Sequence, residues 1–213
     1  VKEKKKSKFT DKKDPDNVLT HSVFKDKPFW IFLASCMITG ILFFQLFTTI
    51  PLYHKEQFNL TEFQTGLLLT LNGLMIFFLE MPIVRYIERK KISKLRIINM
   101  GCLAMAISMF LMLVNFWAGI LLIMMLFMTF GEMFAFPFSN SFAIGRAPNG
   151  HQGRYMAIFT MSFSMAHILS AEIGFGIIDN FGYQLNWLFM GILGLIGVSL
   201  GIWVIKLVAL EQK

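Results

Sequence analysis

Arg85-Tyr86-Ile87-Glu88-Arg89-Lys90-Lys91-Ile92-Ser93-Lys94-Leu95-Arg96 places six basic residues between two apolar runs. The next gap on either side is nearly bare: the earlier holds only Lys55, the later, Asn115-Phe116-Trp117, none. One gap further out the charge returns, with two basic residues in 145–154 and nine in the leading 1–28; the chain end carries two more. Membrane insertion leaves positively charged loops on the cytoplasmic side. The alternation therefore predicts six crossings with both termini cytoplasmic, in a cell (inner or plasma) membrane.

The predicted spans are 29–53, 64–87, 95–114, 118–144, 154–178 and 187–208, flanked by a basic cytoplasmic tail over 1–28 and a short one over 209–213. Each is near or above the ~20 residues a helix needs to cross the hydrocarbon. In lipid such segments must be helical, because unpaired backbone groups find no water. The fold class read here is an all-α integral membrane bundle. Composition agrees: 55% of the residues are hydrophobic and 15% charged, against roughly a quarter charged in a soluble domain. Trp30, Trp117 and Trp187 fall at predicted span ends, as an interfacial belt requires. Positive-inside sorting accounts for the +7 net charge without a nucleic-acid partner. Cys36 and Cys102 lie inside apolar runs and read as small packing residues. The hydrophilic start is not a cleavable signal, and an opening Val1 fits a piece of a longer protein.

The polar residues inside the spans separate the helices into two kinds. The third and sixth spans have no ionisable residue in their interiors; the sixth has Gly191, Gly194, Gly197 and Gly201. At ~100° per residue these share one face, which lets helices approach closely. Both read as scaffold. The second, fourth and fifth contain Glu80, Glu132, His167 and Glu172. An acid at the bilayer centre costs ~2.5 kcal/mol or more, so it belongs in a bundle interior or a watery cavity. Thr129 and Ser139 lie on Glu132's side, while Thr160 and Ser164 share a stripe with His167. The first span adds Gln45, Thr48 and Thr49, and the second Asn72. Bland roles stay open: His167 as a packing residue, Glu80 paired with Arg85, Glu172 paired structurally. The 15 Met read as apolar filler rather than copper ligands.

No HExxH, GxSxG, P-loop or CxxC pattern occurs, so neither an enzyme nor a metal centre is expected.

Three segments carry a family resemblance. Pro148-Asn149-Gly150-His151-Gln152-Gly153-Arg154-Tyr155-Met156 resembles the Pro…Arg-Gly-Arg-Tyr-Met segment entering the eleventh helix of drug–proton antiporters, with Gln152 for the first Arg. Arg85 to Lys91 is similar to the Asp-Arg-x-Gly-Arg-Arg loop motif, Glu88-Arg89 standing for Asp-Arg and the Gly missing. Leu71-Asn72 with Pro82 matches the same branch, whereas Glu172 stands where that branch often has Pro before paired glycines. Together they resemble the carboxy-terminal half of a major facilitator superfamily transporter, which implies a 3+3 inverted repeat rocking against an amino-terminal six-helix half. The resemblance implies a cavity lined by the first, second, fourth and fifth spans, with Gln45, Thr48, Asn72, Thr129, Glu132, Ser139, Ser164 and His167 facing it. Glu132, His167 and Glu172 become proton-coupling candidates, and Arg85, Glu88, Arg89 and Arg154 a cytoplasmic gate. No cofactor is expected, the proton motive force being the energy source. The implied function is proton-coupled efflux of amphipathic small molecules; the alternatives are uptake of a sugar, peptide or organic anion, or a non-transporting assembly subunit.

Overall fold

The computed structural model describes residues 23–211; most of the expected leading tail, and residues 212–213, lie outside the described residues. Those described form seven α-helices and a short 3-10 turn, with no strand among them. The helices are α1 (Lys27–Phe44), α2 (Thr49–Phe58), α3 (Glu62–Arg89), α4 (Lys94–Leu111), α5 (Gly119–Arg146), α6 (Gln152–Phe181) and α7 (Tyr183–Glu211). With α1 and α2 counted as one, six segments are long and apolar enough to cross a membrane.

The first span is not the continuous helix expected over 29–53. Proline has no N–H to give the carbonyl four residues back, and its ring crowds that carbonyl. Pro51 acts this way on Phe47. The chain turns through 45–48, where the Leu46, Phe47 and Thr48 amides reach back only three residues, over 3.0, 3.1 and 3.3 Å. The Ile50 amide donates to the Gln45 carbonyl at 3.0 Å. α2 then runs past the expected span end until Asn59 takes a left-handed conformation at φ 51°. Thr61 and Gln64 cap α3 reciprocally: the Gln64 amide donates to Thr61 Oγ1 at 3.3 Å and the Thr61 amide to Gln64 Oε1 at 2.9 Å. The loop expected over 179–186 shrinks to a single break at Gly182, whose φ of +83° only glycine adopts without strain.

The sixth-span glycines set the packing. A Cβ on Gly191 would lie 2.6 Å from the Phe110 ring, on Gly194 2.6 Å from Ala106 Cβ, and on Gly197 2.9 Å from Ile38. α7 is thus pressed against α4 and α1. Gly101 and Gly131 do the same for α4 and α5: a Cβ on Gly101 would sit 2.7 Å from the Gly131 carbonyl oxygen. Dispersion contacts at such separations, rather than apolar burial, hold helices together in lipid. The α4 and α7 pair therefore backs the bundle, while α3 and α6 stand mostly exposed. α3 buries only Thr65, Asn72 and Ile87.

Candidate functional site

The polar centre of the bundle forms where α3 meets α5. Asn72 on α3 is buried, and its Nδ2 donates to Thr129 Oγ1 at 3.0 Å and to Glu132 Oε2 at 3.1 Å. The Thr129 hydroxyl is buried and donates to the Met125 carbonyl one turn back, at 2.7 Å. Glu132 is half-buried and, among the described residues, forms no ion pair. It lines an open groove of about 360 Å³ with Phe43, Phe136, Asn140, Phe159, Thr160 and Phe163. The groove's aromatic walls brace one another: Phe43 and Phe136 lie 4.7 Å apart, Phe136 and Phe163 5.3 Å, and Phe159 and Phe163 5.1 Å, between ring centroids. The result is one carboxylate at an aromatic surface, suited to a proton or a cation.

His167 is exposed on α6, its ring centroid 4.6 Å from that of Phe44. Ser164 is exposed on the same helix, and its hydroxyl donates to the Thr160 carbonyl at 3.3 Å. Thr48 sits in the 45–48 turn and donates to the Phe44 carbonyl at 3.1 Å. Glu172 is exposed on α6, and Glu80 on α3 is half-buried without the Arg85 partner suggested from sequence.

Two expected cavity residues are not in a cavity. Gln45 is 0% exposed: its Nε2 donates to the Ser170 carbonyl at 2.8 Å and to Ser170 Oγ at 3.0 Å. Its Oε1 accepts from Thr49, and Ser170 in turn donates to the Ile41 carbonyl at 2.9 Å. The amide closes the first span's turn onto α6 and has no group left for a substrate. Gly174 makes room for it, since a Cβ there would lie 2.9 Å from the Gln45 amide. Ser139 is likewise buried, accepting from Cys36 Sγ at 3.6 Å between α1 and α5. Helical spacing put Ser139 on Glu132's side and the family resemblance put Gln45 in the cavity, but the neighbours that cover them come from distant sequence.

At the basic end of the bundle Arg85, Glu88, Arg89 and Arg154 are all exposed, and none forms an ion pair among the described residues. The charge cluster there uses other residues. Arg146, at the end of α5, reaches Asp26 ahead of α1 with Nη2 at 2.8 Å and Nε at 3.0 Å, and also holds Glu211 at the end of α7. The Tyr155 hydroxyl on α6 donates to Asp26 at 3.0 Å, so four helix ends meet. Burial pushes the Asp26 carboxyl up, but hydrogen bonds from Arg146, the Phe29 amide and Tyr155 outweigh it and leave it below its ordinary value. The sequence reading passed over this cluster. Its local signal was Asp26-Lys27-Pro28, a helix-start pattern in which Asp26 accepts from the Phe29 amide at 3.2 Å.

The family model for the Major Facilitator Superfamily matches residues 1–171. A similar protein is a Na(+), Li(+), K(+)/H(+) antiporter of Planococcus maritimus, 24% identical over 199 residues. That alignment takes in 87% of this chain and 46% of the relative, so the chain spans about half the relative's length. With six apolar spans and a family model matched over most of its length, the chain belongs to the major facilitator superfamily of membrane transporters.

Proposed function

We propose that the chain is the carboxy-terminal half of an alternating-access, proton-coupled antiporter that exports amphipathic small molecules, with Glu132 as the group that carries the proton. The observation that carries this reading is an acid inside a membrane span, with no ion-pair partner among the described residues, opening on an aromatic groove. Such a carboxylate holds a proton or a cationic group, but not both at once. The Phe43, Phe136, Phe159 and Phe163 rings favour flat, lipophilic cations. His167 and Glu172 remain coupling candidates on α6, and Arg85, Glu88, Arg89 and Arg154 the gate toward the other half. That amino-terminal half is the expected partner, supported by the 46% coverage of the relative. No cofactor is required; a proton gradient across the cell membrane drives the cycle, with both termini inside as the basic gaps require.

A second reading, exchange of alkali cations for protons, is supported by the printed activity of the Planococcus relative.

The test is transport by the full-length protein in liposomes under an imposed pH gradient, with a panel of lipophilic cations. Wild type should move a compound against its gradient, Glu132→Gln should not, and His167→Ala should be slower. Equal transport by wild type and Glu132→Gln removes the assigned role. No transport by a folded wild type moves the assembly-subunit reading to the front.

A further inference from the structure

We propose that a trough between α1 and α6 at the basic end of the bundle binds an anionic phospholipid, one acyl chain lying in the trough and the phosphate at Lys27 and Arg154. The trough holds about 460 Å³ and is walled by Phe24, Trp30, Met37, Ile158, Met161 and Met165. It shares no lining residue with the Glu132 groove. On α1 the wall residues Trp30, Ala34 and Met37 recur at helical spacing, as Ile158, Met161 and Met165 do on α6. The one hydroxyl in the walls, that of Ser162, donates to the Phe159 carbonyl at 2.7 Å. The length of the trough is therefore apolar. Each wall, from Trp30 to Met37 and from Ile158 to Met165, covers about 10 Å of helix. That is roughly two thirds of one leaflet of a hydrocarbon core ~30 Å thick. Trp30 stands at the inner mouth, the level at which tryptophan settles between lipid and water.

Both walls end in a cation. Lys27 lies one turn back from Trp30 on α1, and Arg154 one turn back from Ile158 on α6. The two helices start level with each other, since the Phe29 and Tyr155 rings lie 4.4 Å apart between centroids. Lys25 adds a third positive charge next to Phe24. All three are exposed and, among the described residues, form no ion pair. The neighbouring acid is already occupied: Asp26 accepts from Arg146 at 2.8 Å, Tyr155 at 3.0 Å and the Phe29 amide at 3.2 Å. A cleft apolar along its length and cationic at its mouth matches a lipid with a negative headgroup, which basic pockets between spanning helices recognise. A packed helix is the poorer occupant. Helices approach closely over small residues, whereas these walls are bulky and include three methionines, which adapt to an irregular chain. Phe24 is 74% exposed on the turn ahead of α1 and stacks on Trp30 at 6.0 Å, an aromatic pair that the lipid would cover. The site rests on the proposed topology only for which leaflet supplies the lipid. It takes Arg154 out of the gate and leaves that role to Arg85, Glu88 and Arg89.

The experiment is photolabelling of the purified full-length protein in detergent with phosphatidylglycerol carrying a diazirine in one acyl chain, the adducts being located by mass spectrometry. Labelling should saturate and fall on 30–37 and 158–165. Unlabelled phosphatidylglycerol should compete far better than phosphatidylcholine, and inorganic phosphate should not compete. A cation near an anionic lipid surface contributes about fivefold, so Lys27→Gln with Arg154→Gln should weaken the site about 25-fold and erase the preference over phosphatidylcholine. Lys27→Arg with Arg154→Lys keeps both charges and should keep the preference, which separates loss of charge from misfolding. Ala34→Phe fills the trough and should abolish labelling of 158–165 with the charges intact. Labelling that never saturates and spreads over every exposed apolar face overturns the site, as does equal competition by phosphatidylcholine. Phosphate competing as well as phosphatidylglycerol leaves an anion site and sinks the lipid. Labelling absent from both walls, with α6 cross-linking to the amino-terminal half instead, gives the trough to that half and overturns the proposal. Each outcome reads lipid at the trough and leaves the transport assay of Glu132 to stand or fall separately.

Discussion

Gly194→Ala tests whether the glycine face of α7 is set by close packing. The added methyl would lie 2.6 Å from Ala106 Cβ, 2.8 Å from Leu42 Cδ2 and 3.1 Å from Ala106 Cα. Carbon atoms in contact prefer ~3.5–4.0 Å. The leucine tip can rotate away, but the α4 methyl and backbone cannot, so α4 and α7 must part by roughly an ångström. Overpacking of this kind costs about 1–3 kcal/mol. Taking about 2 kcal/mol, the melting temperature falls by roughly 4–8 °C for a domain of this size. Ala106→Gly alone should cost about 1 kcal/mol in helix propensity. The double variant moves one methyl from α4 to α7 and removes the 2.6 Å contact. It leaves the added methyl 3.1 Å from the α4 backbone, so it should recover most but not all of the Gly194→Ala loss, a coupling of about 1 to 2 kcal/mol between the sites. Heating the full-length protein in detergent and measuring the surviving monodisperse fraction by size exclusion gives all four values. A Gly194→Ala protein as stable as wild type would refute the packing argument. So would a double variant whose loss is the sum of the two single losses.

Further predictions concern the polar contacts. Arg146→Met strands Asp26 and Glu211 and should cost about 1–3 kcal/mol in the same assay. The folded-state pKa of Asp26 is lowered, so its share of that stability is present above the unfolded carboxylate value of about 3.9 and lost as pH falls through the folded value. The gap between wild type and Arg146→Met should therefore narrow below about pH 4, and a gap that stays constant there would remove Asp26 from the cluster's energetics. Gln45→Leu breaks the bonds to Ser170 and should destabilise by about 1–3 kcal/mol without changing which compounds are transported. A change in substrate range would return Gln45 to the cavity. Pro51→Ala supplies the missing donor to the Phe47 carbonyl, so hydrogen exchange of the 46–50 amides should slow; unchanged exchange would show that the break has another cause.

The helices were legible in the sequence because burial in lipid and positive-inside sorting act on single segments, each readable locally. The scaffold role of the third and sixth spans was legible for the same reason: four glycines on one face are a property of one helix. Asn72, Thr129 and Glu132 were each visible as polar residues in apolar runs, but not their meeting, which depends on the α3–α5 crossing. Gln45 and Ser139 were misplaced because a polar residue on a helix face satisfies itself on a neighbour as readily as it lines a cavity. Here Ser170 and Cys36, 125 and 103 residues away, decide the matter. Asp26, Arg146, Tyr155 and Glu211 went unread as a group because no single stretch contains two that touch. Pro51 alone did not mark the first-span break, since Pro82 and Pro137 sit inside the unbroken helices α3 and α5.

The thin attachment of α3 bears on how the protein survives its own synthesis. A helix held to its bundle through Thr65, Asn72 and Ile87 leaves Phe63, Leu67, Leu74, Phe77, Phe78 and Met81 unshielded by the described residues. In the bilayer lipid chains cover that apolar flank, so the few polar contacts, Asn72 above all, decide whether α3 stays docked. Loss of the Asn72 contact would then show first as shortened lifetime in the cell, before any defect in what the assembled protein does.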